Sequence, residues 1–154
     1  MPILPIENLA AALPPRTPLA GVDVGEKTIG VAISDFHLLI ASPLELIRKV
    51  KFTQDAARLF QLMQNRGAEG LVVGLPMNMD GTEGPRCQSA RAFARNLLRL
   101  KDIPIAFWDE RLSTVAVQRM LTDEADLTRG RRAELVDKAA AAWILQGALD
   151  RLAT

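Results

Sequence analysis

The chain has 154 residues, of which 49% are hydrophobic and 24% are charged, and its formal net charge is +1. This length fits one domain with a sizeable core, and the composition is that of an ordinary globular protein rather than a strongly basic protein that coats nucleic acid. The single cysteine, Cys87, excludes an internal disulfide and a cysteine-rich zinc site, and it suits a reducing cytoplasm.

Residues 1–18, "MPILPIENLAAALPPRTP", hold five of the nine prolines. We expect them to form an extension that lies on the surface or is loosely ordered, with a short turn at Glu7–Leu13. They lack the basic start of a secretory signal, and no apolar run approaches the roughly 20 residues of a membrane span. Residues 19–154 are therefore expected to form one cytoplasmic domain without a membrane partner.

The rest of the chain predicts strands and helices in a mixed order. Three strands come first, with Gly25–Lys27 as the hairpin loop between the first two: Ala20–Val24, Thr28–Ser34 and Leu38–Ile47. Buried strands in "GLVVGLP" and "IPIAFWD" alternate with two helices, at Thr53–Asn65 and Pro85–Leu100. A short helix after Ser113 and a long helix at Arg132–Leu152 complete an α/β fold, a mixed sheet flanked by helices.

The first strand contains an aspartate, Asp23, although strands favour β-branched and aromatic residues. In a paired hairpin this carboxylate shares its face with small residues that leave space beside it, namely Thr28, Gly30, Ala32 and Ser34. We interpret Asp23 as a group that holds a cation or a phosphate-bearing ligand. The alternative is a strand aspartate that caps a loop.

A second acidic site lies in "WDERLST", where Asp109 and Glu110 come at the end of a buried strand. Sheets of α/β proteins place their binding residues at this position. Adjacent residues point to opposite faces of a strand, so the pattern leaves open which of the two acids faces Asp23. Arg111 either contacts phosphate or pairs with a neighbouring acid.

A third acid, Asp137, stands at the head of an apolar stripe in the last helix, formed by Ala141, Ile144 and Ala148. This face is expected to pack on the sheet, where a charge is costly unless it is paired or bound to a metal. The alternative is an aspartate stabilised by the helix dipole. Three carboxylates without a cysteine or histidine cluster predict Mg²⁺ or Mn²⁺ rather than zinc.

Basic residues and one loop are candidates for contact with nucleic acid. A cluster beside Asp137 is the stronger candidate, and it consists of Arg129, Arg131, Arg132 and Lys138. On the second long helix, Arg91, Arg95 and Arg99 form either a phosphate-contacting stripe or a solvated surface. In the loop "PMNMDGTEG", Asn78 and Gly81 hold a phosphate, unless the loop is simply a turn that requires its glycines.

Four segments in this order resemble the bacterial pre-16S rRNA nucleases, also described as Holliday-junction-resolvase-like proteins: "GVDVGEKTIGVAISD", "VVGLPMNMDGTEG", "WDERLST" and "VDKAAAAWIL". The resemblance extends from about Leu19 to Leu152. It implies an RNase H-like fold with a five-stranded mixed sheet. It also implies a metal site formed by Asp23, Glu110 and Asp137, with Glu110 preferred to Asp109 because of the "DER" motif.

The resemblance implies metal-dependent hydrolysis of phosphodiester bonds in the 5′-end processing of pre-16S rRNA. We expect two Mg²⁺ or Mn²⁺ ions with Asp23 as the bridging ligand. RNA is favoured over DNA as the substrate, and the protein is expected to be a monomer or a weak homodimer. Three alternatives stay open: a DNA four-way-junction resolvase, a non-cleaving accessory factor in RNA maturation or transcription, and a phosphate-binding module of the sugar-kinase and actin class.

Overall fold

The computed structural model describes the backbone of residues 3–113 and 129–153, and the side chains of residues 3–112 and 139–153. The strands are β1 (Ile3–Leu4), β2 (Leu19–Val24), β3 (Thr28–Ser34), β4 (Ala41–Arg48), β5 (Gly70–Leu75) and β6 (Ile105–Asp109). The helices are α1 (Ile6–Leu9), α2 (Phe52–Arg66), α3 (Pro85–Leu100) and α4 (Arg129–Leu152). Turns of 3₁₀ helix follow α1 at Ala10–Ala12 and β6 at Glu110–Ser113. The short helix expected after Ser113 lies outside the described residues.

The strands form one mixed sheet in the order β1-β6-β5-β2-β3-β4. Strands β2, β3 and β4 are antiparallel neighbours, whereas β2, β5, β6 and β1 are joined by parallel pairings. The helices α2 and α3 are the crossovers that parallel pairing requires. The expected α/β fold with a five-stranded mixed sheet is confirmed, and β1 adds a two-residue strand at one edge.

Apolar side chains cover both faces of the sheet because successive residues of a strand point to opposite sides. On one face, Val22 and Val73 pack with Leu59 of α2 and Leu97 of α3. The other face belongs to α4, and its buried residues include Val72, Ala106, Trp108 and Leu145. Among the described residues, no helix combines the length and the apolar character needed to cross a membrane.

The N-terminal segment is packed onto the surface of the domain, as in the first of the two expected alternatives, and it is not loosely ordered. Ile3 pairs with Ile105 at the sheet edge, and Leu9 is fully buried in the cluster beneath α4. Glu7 forms an ion pair with Arg151 near the end of α4, with 3.1 Å between Oε1 and Nη2. The prolines interrupt regular secondary structure, but apolar residues between them, such as Leu9, still pack against the domain. The boundary between residues 18 and 19 stays a prediction.

Candidate functional site

The candidate site lies where the parallel strands β2, β5 and β6 end. Asp23 is the second-last residue of β2, and Glu110 follows β6 directly. Strand β5 lies between them, with Val73 paired to Val22 and Gly74 paired to Trp108. The carboxyl ends of parallel strands meet at one edge of the sheet, which is where α/β proteins bind their ligands.

Gly74 provides the space in which the Glu110 side chain lies. A Cβ atom at position 74 would be 3.0 Å from Oε2 of Glu110 and 2.5 Å from Cδ1 of Ile144 on α4. Either contact is closer than ordinary packing allows. The absence of a side chain at Gly74 therefore lets Glu110 and α4 share the surface of β5.

One oxygen of Glu110 is buried without a hydrogen-bond partner among the described residues. Burial raises the pKa of Glu110 to about 7, and the negative charge of Asp23 acts in the same direction, while Arg86 opposes it. A buried carboxylate without a donor is costly unless it takes up a proton or a cation. Oxygen ligands of this kind suit Mg²⁺ or Mn²⁺.

Asp23 is the nearby acid whose negative charge acts on Glu110. Asp23 is paired with Gly30 across the hairpin, which puts it on the face expected to carry small residues, and its strand neighbour on β3 has no side chain. The Asp23 side chain is 15% exposed, and its Oδ1 lies 3.9 Å from Nη2 of Arg86 at the start of α3. Because that arginine is largely exposed, the pair is a weak one.

The environment of Asp109 differs from that of Glu110, and this difference shows which of the two adjacent acids lies near Asp23. Arg111 holds it through Nη2 at 2.6 Å and Nε at 3.0 Å from Oδ2, and the backbone N–H of Arg111 donates to Oδ1 at 3.0 Å. These hydrogen bonds keep the pKa of Asp109 below its usual range. Glu110 is thus the acid that lies against Gly74 near Asp23, and Arg111 pairs with its neighbouring acid.

The loop of residues 76–84 is closed by its own hydrogen bonds. Nδ2 of Asn78 donates to Oγ1 of Thr82 at 2.9 Å, and the N–H of Gly81 donates to the carbonyl of Asn78 at 2.9 Å. Gly81 has a φ of 89°, a conformation that favours glycine. The turn therefore accounts for Gly81, and the side-chain amide of Asn78 is engaged within the loop. Whether either residue contacts phosphate stays a prediction.

The third expected ligand and the neighbouring basic cluster belong to α4, but their side chains lie outside the described ones: Asp137, Arg129, Arg131, Arg132 and Lys138. The expected packing of this helix face on the sheet is confirmed from one turn after Asp137 onwards, because Ala141, Ile144 and Ala148 are buried. Among the described residues, no group of three or more acids, histidines or cysteines is placed to hold a metal.

Sequence reasoning missed a groove that begins at Asp23. It has a volume of about 790 Å³ and runs between the β2–β3 hairpin and the start of α3. Four basic residues line it: Lys27, Arg48, Lys49 and Arg86. They come from three separate segments, so they form no run in the sequence. The short segments "GEKT" and "RKVK" were the only local signal.

Comparison with known proteins identifies close relatives. The chain matches the family described as "RuvX: Holliday junction resolvase" over residues 17–151. A protein of Phenylobacterium zucineum named "Putative pre-16S rRNA nuclease" is 69% identical over 153 residues, which cover 99% of this chain and 98% of the relative. A protein of Rhodospirillum rubrum with the same name is 60% identical, over 99% of this chain and 94% of the relative.

Two solved structures share the fold at low sequence identity. Thermus thermophilus RuvC in complex with a Holliday junction substrate has a TM-score of 0.54 and 15% identity, covering 88% of this chain and 96% of that one. The yeast mitochondrial Holliday junction resolvase has a TM-score of 0.51 and 9% identity, covering 96% and 85%. These likenesses establish a resolvase-type RNase H-like fold.

Proposed function

Because the chain belongs to the RuvX family, we propose that it is a nuclease that hydrolyses phosphodiester bonds in the 5′-end processing of pre-16S rRNA. The observation that carries this proposal is that Asp23 and Glu110 both lie at the carboxyl edge of the sheet, where the charge of Asp23 acts on Glu110. One of these acids has a buried oxygen without a hydrogen-bond partner among the described residues. Such an arrangement is suited to binding a cation rather than to stabilising the fold.

Asp23, Glu110 and Asp137 are the residues that would hold Mg²⁺ or Mn²⁺. The pattern in α4 supports Asp137, since it precedes the buried Ala141 by four residues, about one helical turn. Ions bound there would activate a water molecule and stabilise the leaving oxygen of the phosphodiester. The protein's own part is to place the two carboxylates at one edge of the sheet and, through Gly74, to leave room for the Glu110 side chain.

RNA is the proposed substrate because of the names of the relatives, and the cytoplasm is the proposed location. We propose a monomer or a weak homodimer. Cleavage of DNA four-way junctions is a second candidate, because the family as a whole is described by that activity. A junction resolvase that cuts two strands symmetrically needs a dimer, so the oligomeric state at working concentration bears on this choice.

The test is a cleavage assay with a 5′-extended 16S rRNA fragment, an unrelated single-stranded RNA and a DNA four-way junction. Each substrate is incubated with Mg²⁺, Mn²⁺ or EDTA. We expect metal-dependent cutting of the rRNA precursor that is lost in Asp23→Asn and Glu110→Gln. Glu69→Gln is the matched control, because Glu69 is an exposed acid.

The outcomes separate the candidates. Cutting of the junction alone would replace the RNA proposal with the resolvase. Binding of RNA without cutting under any metal condition would favour the accessory factor. Cutting that survives in Asp23→Asn and Glu110→Gln would show that the chemistry lies elsewhere on the protein.

A further inference from the structure

The groove that begins at Asp23 has basic side chains on both of its walls. Lys27 lies in the hairpin loop, and Arg48 and Lys49 lie where β4 ends, so together they form one wall. Arg86 extends from the opposite wall at the start of α3. All four side chains are exposed. The groove therefore presents positive charge from two directions to whatever occupies it.

Among the described residues, acids do not balance the basic charges of the groove. Two acidic residues, Asp23 and Glu26, stand among the described lining residues, against four basic ones. Elsewhere on the described surface arginines bond to carboxylates, as Arg58 does to Glu45 and Arg91 to Glu83. Within the described part of the chain, no carboxylate forms a salt bridge with Lys27 or Arg48.

The backbone brings these like charges together in a way that does not favour stability. The N–H of Lys49 donates to the carbonyl of Lys27 at 3.0 Å, and Arg48 is paired with Thr28 in the adjoining strands. Lys27 therefore lies opposite Lys49, and like charges directly opposite each other across neighbouring strands are destabilising. Such a concentration of positive charge opposes folding. It has an explanation if an anion binds between these side chains.

We propose that this groove binds the phosphodiester backbone of a single nucleic-acid strand and leads it to Asp23. The inference rests on the proposed nuclease function and adds the path that the substrate takes. We choose a single strand because the basic side chains line one groove between the hairpin and the start of α3. The start of α3 adds the partial positive charge of a helix N-terminus to the same wall.

A second pocket extends the groove away from Asp23. It has a volume of about 320 Å³ and shares Val24, Lys49 and Ser89 with the groove. Another exposed lysine, Lys51, lines it. The rest of this lining is mainly apolar, with one acid, Asp55. Lys49 and Lys51 thus place basic side chains from the groove to the start of α2, a course that suits an extended strand rather than a single phosphate.

The test measures binding without cleavage, in EDTA. Fluorescence anisotropy follows a labelled oligouridine of about 12 nucleotides as the salt concentration rises from about 50 to about 200 mM. Each phosphate contact contributes about 0.7 to the slope of log K against log salt for a single strand. We expect Lys27→Ala/Arg48→Ala to flatten the slope by about 1.4, whereas Lys27→Arg/Arg48→Lys should retain it.

Arg16→Ala/Arg66→Ala is the matched control, because it removes two exposed arginines that lie outside the groove and have no proposed contact with nucleic acid. An unchanged slope in the groove variant would overturn the inference, and so would an equal loss in the control. Thermal unfolding checks folding: since like charges are removed, the groove variant should be at least as stable as the unmodified protein at low salt. A lower stability at low salt would count against the charge argument.

The binding result is independent of nuclease activity. If the protein cuts no substrate but the groove variant loses salt dependence, the groove is a binding surface and the proposed function is wrong. If the protein cuts RNA but the groove variant binds with an unchanged slope, the nuclease stands and the groove is not its path. A DNA strand of the same length, measured in parallel, shows whether the groove distinguishes the two backbones.

Discussion

At the scale of single residues, the site depends on Glu110, a carboxyl group whose ionisation the fold makes unfavourable. Glu110 is buried beside a second acid, and one of its oxygens has no hydrogen-bond partner among the described residues. Its neighbour Asp109, one position away, is held by an arginine and has a lowered pKa. Groups with pKa values shifted in opposite directions are frequent in active sites, because function rather than stability sets their environment.

The raised pKa of Glu110 predicts how the stability of the metal-free protein depends on pH. Its pKa is about 7 in the folded state and 4.5 ordinarily, so between these values the unfolded chain loses the proton while the folded chain keeps it. The free energy of unfolding should therefore fall as pH rises through this window, by on the order of 3 kcal/mol. Denaturant unfolding in EDTA at several pH values measures this.

Glu110→Gln should abolish this fall in the free energy of unfolding with rising pH. At about pH 8 the variant should be more stable than the unmodified protein, by up to the same amount. Glu69→Gln, which changes an exposed acid, should keep the original pH dependence. Parallel pH curves for the unmodified protein and Glu110→Gln would show that Glu110 ionises normally in the folded state.

Gly74→Ala tests the space that Glu110 occupies. The added methyl group would meet both Glu110 and Ile144, and overpacking of this kind costs about 1–3 kcal/mol. We expect lower stability and a loss of cleavage. Adding Ile144→Val removes the Cδ1 atom from the contact, so the double variant should regain stability while cleavage stays low. Recovery of cleavage together with stability would mean that Gly74 serves packing only.

At the scale of elements, the N-terminal segment belongs to the folded domain. It provides an edge strand that pairs with β6 and a short helix whose Leu9 fills a place beneath α4. A strand edge left open is a site for unwanted pairing with other chains, and β1 covers part of this one. The segment therefore supports the strand whose end carries the candidate site.

Leu9→Ala should lower the free energy of unfolding by about 2–5 kcal/mol, because it leaves a cavity in a fully buried position. Leu39→Ala is the matched control: Leu39 is 62% exposed, and its truncation should change stability little. Denaturant unfolding of both variants gives the comparison. Equal, small effects would mean that the N-terminal segment is not part of the cooperative unit.

At the scale of the whole molecule, the distribution of charge matters more than its sum. A net charge of +1 is not that of a strongly basic protein that coats nucleic acid, yet the groove concentrates four basic side chains next to the candidate site. Acids and bases pair with each other over other parts of the surface, as Arg151 and Glu7 do. Local potential, not net charge, steers a charged ligand, so the salt dependence of binding is the informative measurement.

The sequence by itself determined the five longer strands, the helices α2, α3 and α4, the α/β class and the place of Asp23 on a strand face shared with small residues. These features follow from periodicity and turn residues, which act over a few neighbouring positions. The strand Thr28–Ser34 and the helix Pro85–Leu100 were predicted with their observed bounds. The family resemblance added Glu110 as a proposed ligand, which no spacing rule selected.

Only the tertiary structure decided which acid lies beside Asp23, what Arg111 pairs with, where the N-terminal segment packs and which basic residues share a groove. Each of these depends on contacts between segments far apart in the chain. The order of strands brings Gly74 between Asp23 and Glu110, and the pairing of β3 with β4 brings Lys27 next to Lys49. Local sequence patterns contain no information on such neighbours, because sheet order and register are set by the packing of the whole domain.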